Sequence, residues 1–225
     1  MEKKDKPILY LIPGQGADHR LFRDFHVESH DTVILDVPFP EKGELLPDLA
    51  RRMAKEIDTS KPFSILGVSI GGMIAVEVAK FLSPKHLILV SSAKQRKELP
   101  PLYRMMRWIP LYKLFTGDQY KSLANVARRL FEPDAKEEDT LFRSMISAKD
   151  PRYMERTIHA IMHWQNETPP ESCVHIHGDR DRTLPIRWIR NAQTVSSGSH
   201  MMILMNAKAV CKLVDEELNK SEYAS

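Results

Sequence analysis

The sequence predicts an α/β protein, a parallel sheet with helices on both faces, and three observations carry that prediction. Short apolar runs rich in β-branched residues recur along the chain. Stretches with apolar residues at helical spacing alternate with them. The run "SILGVSIGGMIAVEVAKFL" (64–82) breaks at a serine boxed by glycines and then resumes as a helix with almost no polar residue before Glu77. Strands and helices buried in this way belong to sheets covered on both sides.

Taken in order, "PILYLIP" (7–13) reads as a buried strand and "DTVILDVPFP" (31–40) as a second, ended by prolines. "LLPDLARRMAKEI" (45–57) places Leu46, Leu49, Ala50, Met53 and Ile57 along one helical stripe. "FSILG" (63–67) is the third strand, followed by a helix from Ile70 to Leu82, and "KHLILVSSA" (85–93) is the fourth. "SCVHIHG" (172–178) and "AQTVSSG" (192–198) are the fifth and sixth. A last amphipathic helix carries Ala207, Val210, Cys211, Val214 and Leu218.

Between strands four and five, about 94–171, no strand signal occurs, and the block is too long for a loop. Within it Tyr120, Leu123, Ala124, Ala127 and Leu130 share one helical side, and Asp134 with Glu137 forms a capping-box pattern. Asp150-Pro151 pairs an N-cap with a first-turn proline before "RYMERTIHAIMHW". The expected organisation is therefore a core of 1–93 and 172–225, with 94–171 inserted over the sheet as a helical cap.

Composition bounds the function. Hydrophobic residues at 42%, charged residues at 28% and a net charge of +3 describe an ordinary globular protein and argue against a dedicated nucleic-acid binder. Cys173 and Cys211 have no metal-ligand spacing and read as small buried hydrophobes. No run approaches the roughly 20 apolar residues of a membrane span, and the N-terminus lacks a secretory apolar region, so a cytoplasmic location is expected.

A chain reversing as sharply as Gly67-Val68-Ser69-Ile70-Gly71 needs glycines but no serine at the apex. G-x-S-x-G alone is a weak signal. Its strand–turn–helix placement is stronger, because it projects the hydroxyl above the sheet beside the Ile70 N–H and a helix N-terminus. A serine nucleophile needs a base and a group that orients the base. Asp181 lies three residues beyond Gly178 and His200 two beyond Gly198, both on loops leaving the carboxyl edge of the sheet. Asp179 is the rival acid, with a surface-turn role as its plain alternative.

These motifs, "GVSIGG", "HGDRDRTLP" and "GSH" in that order, resemble the α/β-hydrolase superfamily over nearly the whole chain, and within it the capped carboxylesterase and acyl-hydrolase branch. The resemblance implies a compact form of that fold. Six parallel strands would run in the order 2-1-3-4-5-6, without the two leading strands of larger members, and with the helix between Asp181 and His200 reduced to a turn around "PIRWIRNA". It implies catalysis by Ser69, His200 and Asp181, and an oxyanion hole from the N–H groups of Ile70 and Gln15 in "IPGQGADHR". Pro13-Gly14 stands where the family commonly has His-Gly. Ester hydrolysis without metal or organic cofactor is the implied activity. A thioesterase, a carbon–carbon bond hydrolase or lyase, and a slow-turnover ligand receptor remain alternatives.

Other residues carry weaker signals. His19, Trp108, His163 and Trp164 are candidate substrate-binding residues, each weighed against plain packing or solvent exposure. His175 and His177 share a strand face, but no third ligand completes a metal site. From 94 to 131, nine Lys/Arg stand against two acids, which suits either a solvated helix face or the recruitment of an anionic substrate or an acidic acyl carrier.

Overall fold

In the computed structural model, which describes residues 6–116, 118–119, 122 and 136–220, six strands form one sheet in the order β2-β1-β3-β4-β5-β6. They are β1 (Ile8–Ile12), β2 (Asp31–Ile34), β3 (Phe63–Val68), β4 (Leu87–Val90), β5 (Val174–Gly178) and β6 (Gln193–Val195). Every neighbouring pair is parallel. The order and direction match those the sequence predicts.

Parallel neighbours require crossovers, and helices supply them. Helix α1 (Leu46–Met53) joins β2 to β3, and α2 (Ile70–Val78) joins β3 to β4. Between β4 and β5 lie α3 (Pro101–Met105), α4 (Lys136–Ala148) and α5 (Pro151–Met162). Helices α6 (Met202–Met205) and α7 (Ala207–Asn219) follow β6. The Asp150 carboxylate accepts the Arg152 N–H at 2.8 Å and caps α5, with Pro151 as its first residue. The link between Asp181 and His200 holds only a 3-10 turn, Ile186–Trp188, before β6. The helix expected around 120–130 and the capping box at Asp134 and Glu137 lie outside the described residues and side chains.

Strand alternation divides the core in two. Tyr10, Ile12, Ile65, Leu87 and Leu89 face a layer formed by α1, α2 and α5, including Leu46, Leu49, Met73, Met154 and Ile161. Leu9, Leu11, Leu66, Val68, Ile88, Val90 and Ile176 face the other layer, with Phe22, Met202, Val210, Val214 and Leu218. Each such side chain, fully buried, contributes about 1.5–3 kcal/mol of apolar transfer. Every residue of α2 is buried, so this helix is apolar nearly all round and carries Ser69 into the middle of the sheet.

Two expectations need correction. β2 is exposed along its whole length, with Val33 and Ile34 at 39% and 37%, because it is the edge strand; burial resumes only at Leu35 and Val37 beyond it. The two cysteines are half-buried rather than buried, and Cys211 Sγ accepts the His26 N–H at 3.3 Å. Among the described residues, no helix is long and apolar enough to cross a membrane.

The strand–helix junction is closed by backbone contact. A Cβ on Gly67 would strike Gly71, and one on Gly71 would strike the carbonyl oxygens of Ile12 and Pro13. Gly71→Ala should therefore cost about 1–3 kcal/mol or more, since backbone rather than a flexible side chain must give way. Urea unfolding measures this, and an unchanged midpoint would contradict the packing described.

Candidate active site

Ser69 sits between β3 and α2 with φ 54° and ψ −120°, a left-handed region that a residue bearing a Cβ enters only under constraint. The constraint comes largely from the neighbouring strand. The Ser69 N–H donates to the Val90 carbonyl at 3.0 Å, and the Ser69 carbonyl accepts the Ser92 hydroxyl at 2.6 Å. The same carbonyl accepts the N–H groups of Gly72 and Met73, which starts α2.

The loops after β5 and β6 pack backbone to backbone where Gly178 meets Gly198. The Arg180 N–H donates to the Gly198 carbonyl at 2.9 Å. This contact brings Asp181 and His200 together. His200 Nε2 lies 3.1 Å from Ser69 Oγ, and His200 Nδ1 lies 2.7 Å from Asp181 Oδ2. The other carboxylate oxygen, Oδ1, accepts the N–H groups of Thr183 at 2.9 Å and Leu184 at 2.7 Å. Burial pushes the Asp181 carboxyl upward, but the charge of His200 and hydrogen bonds from His177 and His200 outweigh it, leaving it below the ordinary carboxylate range. An ionised Asp181 accepts from Nδ1–H, which leaves Nε2 free to accept from the Ser69 hydroxyl. Asp179 faces solvent instead.

His177 is the residue whose part the sequence did not reveal. Its Nε2 lies 2.7 Å from the Leu184 carbonyl and 3.2 Å from Asp181 Oδ2, so its N–H is shared between them. Its Nδ1 lies 3.3 Å from His175 Nε2, and the two rings stand edge to face at 5.2 Å. The alternation that places both on one face was legible; the position of Asp181 over that face was not. Among the described residues no group of three or more His, Cys, Asp or Glu could hold a metal ion.

Further out, Glu98 is buried and accepts the N–H groups of Lys94 at 2.7 Å and Arg190 at 3.3 Å. Burial raises its carboxyl above the ordinary value, and those bonds with the Lys94 charge partly offset the rise. Burial also lifts the Cys173 thiol to about 11, so it is no thiolate near neutrality.

The loop after β1 crosses the serine, with Gly14 close enough that an added Cβ would lie 3.5 Å from Ser69 Cβ. The Gln15 side chain donates from Nε2 to Thr157 Oγ1 at 2.9 Å, tying the loop to α5. Thr157 is itself buried and bonded back to the Tyr153 carbonyl at 2.8 Å. Among the described residues neither the Gln15 nor the Ile70 backbone N–H donates to another group.

The remaining sequence candidates occupy different settings. His19 is largely exposed beside Asp18, and Trp108 is 76% exposed beneath the Arg107 guanidinium. His163 stacks on His159 at 4.1 Å and hydrogen-bonds its carbonyl at 2.9 Å. Trp164 is 1% exposed, and its indole N–H donates to Glu77 Oε1 at 2.7 Å, which fixes it in the core behind α2.

No protein-family model matches the chain, and no curated protein sequence matches it. Solved structures do. An enol-lactonase from Burkholderia xenovorans LB400 superposes with TM-score 0.76 at 16% identity, over 98% of this chain and 94% of that one. An esterase from Exiguobacterium antarcticum gives 0.75 at 13%, over 96% and 93%. A hydrolase from Pseudomonas aeruginosa PA01 gives 0.71 at 16%, over 95% and 90%. The fold is the α/β-hydrolase fold.

The buried histidines have a consequence for stability. Burial first, then the charges of His177 and Lys94, hold the His175 imidazole well below its ordinary 6.5, against smaller raising effects from Ser92 and Asp181. The unfolded chain takes up a proton near 6.5 and the folded imidazole does not, so stability present above that value is lost as pH falls below it. Thermal melts from pH 7.5 to 5 should show a falling midpoint, with a shallower fall in His175→Phe. Parallel curves would refute a buried neutral imidazole.

Proposed function

We propose that this chain is a serine hydrolase cleaving a carboxylic ester through an acyl-enzyme. The unbroken chain from Ser69 Oγ to His200 at 3.1 Å and from His200 to Asp181 at 2.7 Å carries the reading. His200 Nε2 takes the Ser69 proton as Oγ attacks the carbonyl carbon, and buried Asp181 holds the tautomer and stabilises the imidazolium. His200 then returns that proton to the departing alcohol oxygen. In the second half it takes a proton from water as the water oxygen attacks the acyl carbon, then gives that proton to Ser69 Oγ as the acyl–Oγ bond breaks and the carboxylic acid leaves.

The backbone N–H groups of Ile70 and Gln15 hold the oxyanion. Their lack of other described acceptors, and the closeness of Gly14 to Ser69, support this role. One such donor contributes about 2.7–4 kcal/mol in a comparable hydrolase. The Gln15–Thr157 bond takes the part of the missing His-Gly brace, linking the oxyanion loop to α5. No metal or organic cofactor enters this scheme. The neighbours named as an esterase and an enol-lactonase act on esters, which favours an ester over a thioester or a carbon–carbon bond.

With p-nitrophenyl acetate the protein should give an acyl burst, and Ser69→Ala should lose it, with kcat falling about 10⁴-fold or more. Ligand binding without a burst would favour a receptor. Asp181→Asn should lower kcat by about 10⁴-fold through the wrong imidazole tautomer. Asp179→Asn should leave it near wild type, and the reverse pattern would reassign the acid. Thr157→Val should lower kcat more than it raises KM, because the loop it braces acts on the oxyanion; an effect on KM alone would remove that role.

A further inference from the structure

The segment from 99 to 116 is apolar on two sides. Leu99 and Tyr112 are buried inward, with Tyr103 and Met106 packed against the same core. Outward stand Leu102, Met105, Trp108, Ile109, Leu111 and Leu114, from 43% to 77% exposed. Of the eleven exposed large hydrophobic residues described, seven fall between 102 and 115, so the apolar surface is concentrated here rather than scattered. The segment contains Arg104, Arg107 and Lys113 and no Asp or Glu. From 94 to 131 positive charges exceed negative ones by seven, nine against two, while the whole chain nets only +3. The three cations of 102–114 equal the chain's whole net charge of +3, so the residues outside this segment sum to zero.

The segment is also firmly backed. The Arg96 guanidinium donates to the carbonyls of Trp164 at 2.6 Å and Arg104 at 2.8 Å, and the Tyr112 hydroxyl pairs with His159 Nδ1 at 2.9 Å. It leaves the sheet from the end of β4, the strand whose Val90 carbonyl holds the Ser69 N–H. Burial first and the negative charge of Asp181 second raise the Tyr103 phenol, so the inward side of the segment lies within electrostatic reach of the acid.

We infer that residues 102–114 dock the protein on an anionic lipid surface, which presents ester to the Ser69 site. A groove would favour a partner helix, but these side chains protrude, with Trp108 and Leu114 the most exposed. Protruding Trp and Leu enter the boundary between headgroups and acyl chains, and arginine and lysine among them meet anionic headgroups. With no net charge on the residues outside it, the cations of this segment favour its approach to such a layer. The inference deepens the proposed ester hydrolysis by naming where the ester comes from, and it rests on that reading.

Sedimentation with large unilamellar vesicles tests it, using full-length Ser69→Ala protein so that binding is read without turnover. Binding to phosphatidylcholine vesicles containing 30% phosphatidylglycerol is expected, weakening as salt rises, with little binding to phosphatidylcholine alone. Ile109→Glu with Leu114→Glu should abolish it. Arg107→Gln with Lys113→Gln should weaken it by about 25-fold, since each removed charge is worth about fivefold near such a surface. With Ser69 intact, both double variants should keep circular dichroism and p-nitrophenyl acetate turnover, but lose turnover of ester dispersed in the anionic vesicles. No binding to anionic vesicles, equal binding to neutral ones, or unchanged binding by both variants would overturn the proposal. So would salt-sensitive capture of an acidic acyl carrier, or self-association through the patch, if vesicles are not bound. Failure of the soluble ester assay with vesicle binding intact would instead strike the hydrolase reading.

Discussion

The left-handed backbone at Ser69 is the constraint on which the rest depends. A non-glycine residue at positive φ stores about 1–3 kcal/mol, and only an over-determined surrounding keeps it there. Here the surroundings are specific: Val90 holds the N–H, Ser92 holds the carbonyl, and the contacts of Gly67 with Gly71 and of Gly71 with Ile12 and Pro13 let α2, β1 and β3 meet at backbone distance. Because α2 packs in one core layer and Val68, just before Ser69, packs in the other, a shift of the elbow would require repacking both. The hydroxyl position is thus set by the least compliant part of the molecule.

A second constraint acts on charge. Asp181 is buried, and its ionised form survives because two imidazoles and two backbone N–H groups satisfy it. His177 receives its own support from the Leu184 carbonyl and His175, so the Asp181 carboxylate rests on an ordered polar layer. The orientation of His200 follows from this layer more than from its own short loop. Glu98 accepts the N–H groups of Lys94, just after β4, and of Arg190, just before β6, which ties the start of the segment between β4 and β5 to that side of the sheet.

The segment between β4 and β5 has two kinds of surface. α5 reaches inward through Thr157 to the loop over the serine, while 102–114 turns apolar and basic side chains outward. One part of the segment therefore touches the loop over Ser69, and another faces solvent.

The sequence by itself determined the sheet order, the elbow and the loops that bear Asp181 and His200, since strand runs, glycine spacing and turn chemistry are local properties of the chain. It misjudged β2, because an apolar run reads the same at an edge as at the centre, and only pairing on one side decides exposure. Trp164 looked available for a pocket until α2 supplied Glu77 as its partner. His177 beneath the acid, Gln15 bound to Thr157 and the outward face of 102–114 depend on segments far apart in the chain. Tertiary packing alone decides such contacts, because a side chain's partner is fixed by which backbone lies opposite, and spacing along the chain does not encode that.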